Sequence, residues 1–127
     1  MESSTVCIIG LGYVGLPLAE AFAQKLKVIG FDLDKQKVFA LQKSPDDRQL
    51  TTDDRNGNLI FTINPEKIKE SDFFIICVPT PVTKAKFPDL SYVENAARIV
   101  GANMKRNSTV ILESTVYPGV KIGRAHV

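Results

Sequence analysis

Three glycines and one aspartate carry the chemistry most plainly written in this sequence. Gly10, Gly12 and Gly15 fall in the G-x-G-x-x-G spacing directly after the apolar run Thr5 to Ile9, and Asp32 closes a second such run, Lys27 to Phe31. The glycines do different things. Gly10 permits a tight turn, Gly12 lets a pyrophosphate approach the backbone without meeting a Cβ, and Gly15 lets the next helix pack close to the sheet. The first amides of that helix lack intrahelical acceptors and sit at the positive end of its dipole, so they favour an anion. A carboxylate about 20 residues on can hold ribose hydroxyls. Strand, turn, helix, strand and acid together read as a dinucleotide-binding unit. A bare glycine turn in a flavodoxin-like sheet leaves Asp32 unexplained.

The rest of the chain supplies the elements that must position these residues. Val14, Leu18, Ala21 and Phe22 recur at helical spacing, with Pro17 tolerated in the first turn. A short helix is expected over 34–43, carrying Val38, Phe39 and Leu41. Lys37, five residues beyond Asp32, reaches the adenosine end of a cofactor or is simply a solvated helix lysine. A polar loop follows over 44–58, then a third strand from Leu59 to Ile63 and a helix opened by Asn64-Pro65 and running to Glu70. Phe73 to Val78 is a continuous apolar run suited to a central parallel strand. It stops at Pro79-Thr80-Pro81, a stiff loop at the carboxyl edge of the sheet, where Thr80 is placed to touch a cofactor. Val82 to Pro88 reads as basic and irregular. Ser91 and Glu94 form a capping-box pattern, after which Val93, Ala96, Ala97, Val100 and Met104 share one helical face. Ser108 to Leu112 is a fifth strand that feeds into Glu113, Ser114 and Thr115. The fold class is therefore α/β: a Rossmann-type doubly wound parallel sheet of about five strands with flanking helices and right-handed crossovers.

Length and composition bound the function. The 127 residues suffice for one domain with a core of its own and are too few for two of ordinary size. Sixteen basic against fourteen acidic residues give a net charge of +2, with no cluster that suggests a nucleic-acid face or a polybasic membrane segment. No apolar run approaches the length of a membrane span and no leader precedes Thr5, so a cytoplasmic protein is expected. Cys7 and Cys77 lie inside strand-like runs, where cysteine serves as a small buried hydrophobe rather than as a disulfide or metal partner.

With these motifs in place, the chain resembles the amino-terminal domain of the UDP-glucose/GDP-mannose dehydrogenase family. The resemblance rests on GLGYVGLPLA at 10–19, Asp32 with Lys37, CVPTP at 77–81, FPDL at 87–90 and ESTVYPG at 113–119, and it covers nearly the whole chain to Gly119. It is greatest to the branch that oxidises UDP-N-acetylhexosamines to uronic acids. The resemblance implies that Gly10, Leu11, Gly12, Tyr13, Val14 and Gly15 hold the pyrophosphate of NAD, Asp32 and Lys37 its adenosine side, and Val78, Pro79 and Thr80 the loop beside it. It places Ser114 and Thr115 near the nicotinamide, with Thr115 as the catalytic residue that helps to position a water, and leaves Glu113 a supporting role.

The family reaction oxidises the sugar C6 alcohol twice, with a hydride to NAD each time and a cysteine thioester between the steps. The nucleophilic cysteine, the catalytic lysine and the dimerisation helix of such enzymes belong to later domains, so the expected whole is a UDP-sugar-using homodimer or higher oligomer of which 1–120 is the NAD-binding domain. No nucleic-acid or membrane partner is implied. Residues 121–127 depart from the family and read as a non-native tail, which removes His126 as a general base. A truncated sheet of this type would leave an uncovered edge at its fifth strand. Two other readings stay open: a regulatory domain that senses NADH, and a 3-hydroxyacyl-CoA or 6-phosphogluconate type dehydrogenase domain.

Overall fold

The computed structural model describes residues 4–42 and 58–113. Among them are five strands, β1 (Thr5–Ile9), β2 (Lys27–Phe31), β3 (Leu59–Thr62), β4 (Phe73–Ile76) and β5 (Thr109–Leu112). Helices α1 (Gly15–Phe22), α2 (Lys35–Gln42) and α3 (Ser91–Asn103) and a 3₁₀ turn at Pro65–Ile68 connect them. All strands pair in parallel, in the order β3-β2-β1-β4-β5. The chain steps outward from β1 to β3 and then returns to the other side of β1 for β4. That reversal opens a crevice at the carboxyl ends of β1 and β4.

β1 alternates between two cores. Val6 and Ile8 face one layer with Ala19, Ala23, Val38 and Leu41, beneath α1 and α2. Cys7 and Ile9 face the other with Phe74, Ile68, Ala96 and Val100, beneath the 3₁₀ turn and α3. A strand covered on both faces has no polar side to display, which is why its sequence shows no alternation.

Several elements differ in detail from the sequence reading. The buried line of α1 is Gly15 and Ala19, continued by its C-cap Ala23, and of the expected face Leu18 and Phe22 pack half-buried against the same core while Val14 and Ala21 are exposed. The helix has turned its smallest residues to the sheet, because only they permit so close an approach. On α2, Val38 and Leu41 are buried and Phe39 faces out. Pro65 starts only a 3₁₀ turn, capped by the Asn64 side chain, which accepts from the Glu66 amide at 3.0 Å. β3 ends at Thr62, β4 at Ile76 and β5 begins at Thr109. Ser91 does not cap α3. The Asp89 carboxylate, a stronger acceptor, takes both its amide at 2.9 Å and its hydroxyl at 2.6 Å, and Glu94 donates its amide to the Leu90 carbonyl. On α3, Ala96 and Val100 are buried and Ala97 is exposed.

The segment after Pro81 is ordered rather than irregular. A bridge between Val82 and Pro88 closes a tight turn, with the Thr83 amide on the Phe87 carbonyl and Lys86 at φ 69°. Among the described residues β5 is the outermost strand on its side of the sheet, and all four of its residues are exposed.

Asp72 ties the amino ends of three strands together. Its amide donates to the Thr5 carbonyl, its carbonyl accepts from Thr109, and its carboxylate accepts from the Thr5 amide at 2.8 Å and meets the Lys105 ammonium at 3.1 Å. The Thr5 amide, and after it Lys105, hold this carboxyl below the usual range. A depressed pKa means a contribution that is present above the unfolded-state value of about 3.9 and fades as pH falls through the lower folded value. Asp72→Ala therefore lowers the melting temperature at neutral pH, and the gap to the parent closes as the buffer is acidified below the unfolded-state value and through the lower folded one. An unchanged gap in acid would show that the carboxylate is not the source.

Candidate cofactor site

The glycine turn begins as an extension of the sheet. The Gly10 amide donates to the Phe31 carbonyl at 2.8 Å, and the chain then turns at a Gly10 φ of +101°. A Cβ there would lie 2.9 Å from the Cys77 carbonyl oxygen, and one at Gly15 would lie 1.8 Å from the Gly10 carbonyl oxygen. These two glycines are demanded by the fold itself. At Gly12 a Cβ would meet nothing within 4 Å. The fold has no need of a glycine there, and the open face it leaves is directed into the cleft.

The backbone around Gly12 is ready for an anion. No side chain caps α1, and no backbone carbonyl among the described residues accepts from the amides of Gly12, Tyr13 or Val14. Free amides at a helix start beside a missing Cβ form a cradle that fits a diphosphate. The Tyr13 side chain, 101% exposed, stands at its rim.

Asp32 is held on the same side. Its Oδ2 accepts from the Leu11 amide at 2.8 Å and lies 3.6 Å from Lys37 Nζ, while Oδ1 accepts from the Asp34 amide at 3.0 Å. Asp34 in turn caps α2 by accepting from the amides of Gln36 and Lys37, both at 3.1 Å. A carboxylate offers about four lone-pair sites, so Asp32 keeps acceptor capacity for a hydroxyl of a bound sugar.

Turn and acid border a cleft of about 1040 Å³, at the upper end of the range for small-molecule sites. Gly10, Leu11, Gly12, Tyr13, Val14, Asp32, Lys37, Val78, Pro79 and Thr80, the residues assigned to a cofactor in the sequence, all line it. Gly15 lies buried beneath the turn rather than on the wall. Ser114 and Thr115 fall outside the described residues. The sequence reading missed the far wall, where α3 contributes Tyr92, Asn95, Ala96 and Ile99. Their i, i+3, i+4, i+7 spacing marks one helical face and was a usable signal, hidden by assigning the apolar face to Val93 and Ala97.

Cys77 and Glu113 also reach the cleft. Burial, with the Glu113 carboxylate adding to it, pushes the Cys77 thiol up to about 11. Burial raises Cys7 further, and it sits in the opposite core layer. Both are protonated thiols at neutral pH, unsuited to nucleophilic work. Among the described residues no cluster of three or more His, Cys, Asp or Glu side chains could hold a metal, and no helix is long and apolar enough to cross a membrane.

Known proteins resemble this chain in sequence and in fold. The family described as "UDP-glucose/GDP-mannose dehydrogenase family, NAD binding domain" matches residues 4–123. A UDP-N-acetyl-D-glucosamine 6-dehydrogenase of Salmonella typhi is 45% identical over 122 residues, 94% of this chain and 29% of that protein. Protein CapL of Staphylococcus aureus is 42% identical over 116 residues, 90% of this chain and 27% of that protein. Among solved structures, a UDP-D-ManNAc dehydrogenase from Pyrococcus horikoshii superposes with a TM-score of 0.80 at 38% identity, covering 91% of this chain and 29% of that one. The chain thus spans less than a third of the length of these relatives.

The glycines separate fold from ligand. Gly12→Ala leaves the melting temperature near that of the parent and weakens NADH binding by about tenfold or more, since its Cβ meets no protein atom and enters only the open cradle. Gly15→Ala drives a Cβ into the Gly10 carbonyl and costs about 3 kcal/mol or more of stability. Thermal melts beside a fluorescence titration read both, and a Gly12 variant that binds NADH normally removes the cradle from the site.

Proposed function

The chain belongs to the UDP-glucose/GDP-mannose dehydrogenase family, and on that premise we propose that it is the cofactor-holding part of a nucleotide-sugar 6-dehydrogenase acting on a UDP-N-acetylhexosamine. The observation that carries this reading is the pairing of Gly12's open face with an Asp32 carboxylate already fixed to the adjacent Leu11 amide. The names of the relatives support the substrate class, since they include dehydrogenases of UDP-N-acetyl-D-glucosamine and UDP-N-acetyl-D-mannosamine.

In this proposal the amides of Gly12, Tyr13 and Val14 take the diphosphate, Asp32 and Lys37 flank the adenosine ribose, and Val78, Pro79 and Thr80 wall the cofactor on the β4 side. When bound, NAD supplies the acceptor for the hydride that leaves the sugar C6. Glu113 brings the chain to the carboxyl edge of β5, with its amide on the Ile76 carbonyl at 2.8 Å. Ser114 and Thr115 follow it directly in sequence, which supports a place for both beside the nicotinamide and for Thr115 as the residue that orients a water. The thiolate that the family chemistry needs is neither Cys7 nor Cys77, both buried and protonated. We assign it to a part of the enzyme outside these residues, together with the sugar pocket and the surfaces of a homodimer or larger assembly. Two buried, unpaired cysteines in separate core layers also fit a reducing compartment such as the cytoplasm.

Asp32 favours NAD over NADP. A unit charge about 4 Å from a like charge near a protein surface costs on the order of 4 kcal/mol, and the Lys37 ammonium beside Asp32 offsets part of that. Calorimetric titration of the chain is expected to show NADH binding and NADPH binding weaker by about tenfold or more. Equal affinities refute the role given to Asp32, and no binding of either nucleotide refutes the proposed function.

A further inference from the structure

We propose that Lys37 is a latent ligand for a ribose 2′-phosphate, kept out of that role by its ion pair with Asp32. The inference deepens the nucleotide reading and rests on it. One carboxylate then sets cofactor choice in two ways, by repelling the extra phosphate and by engaging the cation that would otherwise receive it.

The argument starts from where Lys37 is anchored. Its amide is fixed at 3.1 Å to the Asp34 carboxylate, and its neighbour Val38 is sunk in the core with Leu41, so the start of α2 cannot swing away from the sheet. Its side chain lines the cleft, 39% exposed, with Nζ 3.6 Å from Asp32 Oδ2. That oxygen is the one braced by the Leu11 amide, on the side of Asp32 that faces the glycine turn. A sugar hydroxyl recognised by Asp32 therefore lies within reach of the ammonium as well. If the carboxylate is removed, the cation stays in place with its partner gone, beside the position a 2′-phosphate would take.

Two further charges bear on the size of the effect. Asp34 also lines the cleft, with its Oδ1 accepting from two amides of α2, and a second carboxylate so close to a 2′-phosphate limits the gain. Lys35, in the same helical turn, does not line the cleft and cannot substitute for Lys37. Lysine binds phosphate as a point charge, so the contact depends on proximity and is weakened by salt.

The test is a double-mutant cycle on the whole chain, read by NADH and NADPH fluorescence titration, with 2′,5′-ADP as the minimal probe. Asp32→Ser is expected to tighten NADPH and 2′,5′-ADP binding by about tenfold relative to the parent, and adding Lys37→Ala is expected to cancel that gain. The gain should shrink as salt is raised. Because Asp32 braces the glycine turn, thermal melts accompany each variant, and Asp32→Asn, which keeps an oxygen for the Leu11 amide, serves if the serine variant does not fold. A gain that persists without Lys37 overturns the inference, as does the absence of any gain in a folded variant while the parent binds NADH. A parent that binds no NADH overturns the nucleotide reading first and this inference with it.

Discussion

A single hydrogen bond, from the Leu11 amide to the Asp32 carboxylate at 2.8 Å, joins the two halves of the cleft. It spans 21 residues of sequence and fixes the glycine turn to the carboxyl end of β2. Around it the contacts fall into order. The Gly10 amide extends the β1–β2 ladder, the Asp34 amide takes the other carboxylate oxygen, and Asp34 itself caps α2. A partly buried carboxylate is costly to leave unpaired, so this network of amides and the Lys37 ammonium is what lets an acid sit at the mouth of the sheet. With the turn preorganised in this way, a ligand need not spend binding energy on ordering it.

The glycines show how fold and function divide the same motif. Gly15 is required because α1 approaches the Gly10 carbonyl too closely for any side chain, and Gly10 because its φ and the Cys77 carbonyl both exclude one. Gly12 satisfies no such demand. Its role becomes physical only when something enters the cleft. Opposite it, α3 serves two purposes at once, burying Ala96 and Val100 in the core while Tyr92, Asn95 and Ile99 face the cavity.

Much of this was legible in the sequence, and what was not has a common cause. The glycine spacing, the acid at its distance and the double proline after β4 are local patterns from which the parallel sheet and places at its carboxyl edge for the glycine turn, Asp32 and Thr80 were read, while Leu11, Tyr13, Val14, Lys37, Val78 and Pro79, which also line the cleft, were named through the family resemblance. Helix faces followed only in part: Val38 and Leu41 of α2 and Ala96 and Val100 of α3 are buried as read, whereas Val14, Ala21, Phe39 and Ala97 are exposed, because how a helix is turned depends on where its small residues let it approach the sheet. The cap of α3 was misplaced for a similar reason. Ser91 has the right pattern, but Asp89 two residues earlier is the better acceptor and takes the hydroxyl as well as the amide. The bond from Leu11 to Asp32 leaves no trace in composition or periodicity, since it exists only once β1 and β2 are paired.

The central claim is that Asp32 braces the turn and receives the ribose at the same time. A crystal structure of the chain with NADH tests it most directly. The account predicts the diphosphate against the Gly12 face, a ribose hydroxyl on Asp32, and the Leu11 amide still bonded to the same carboxylate. A nucleotide bound elsewhere, or an Asp32 side chain that abandons Leu11 when the ribose arrives, would contradict it.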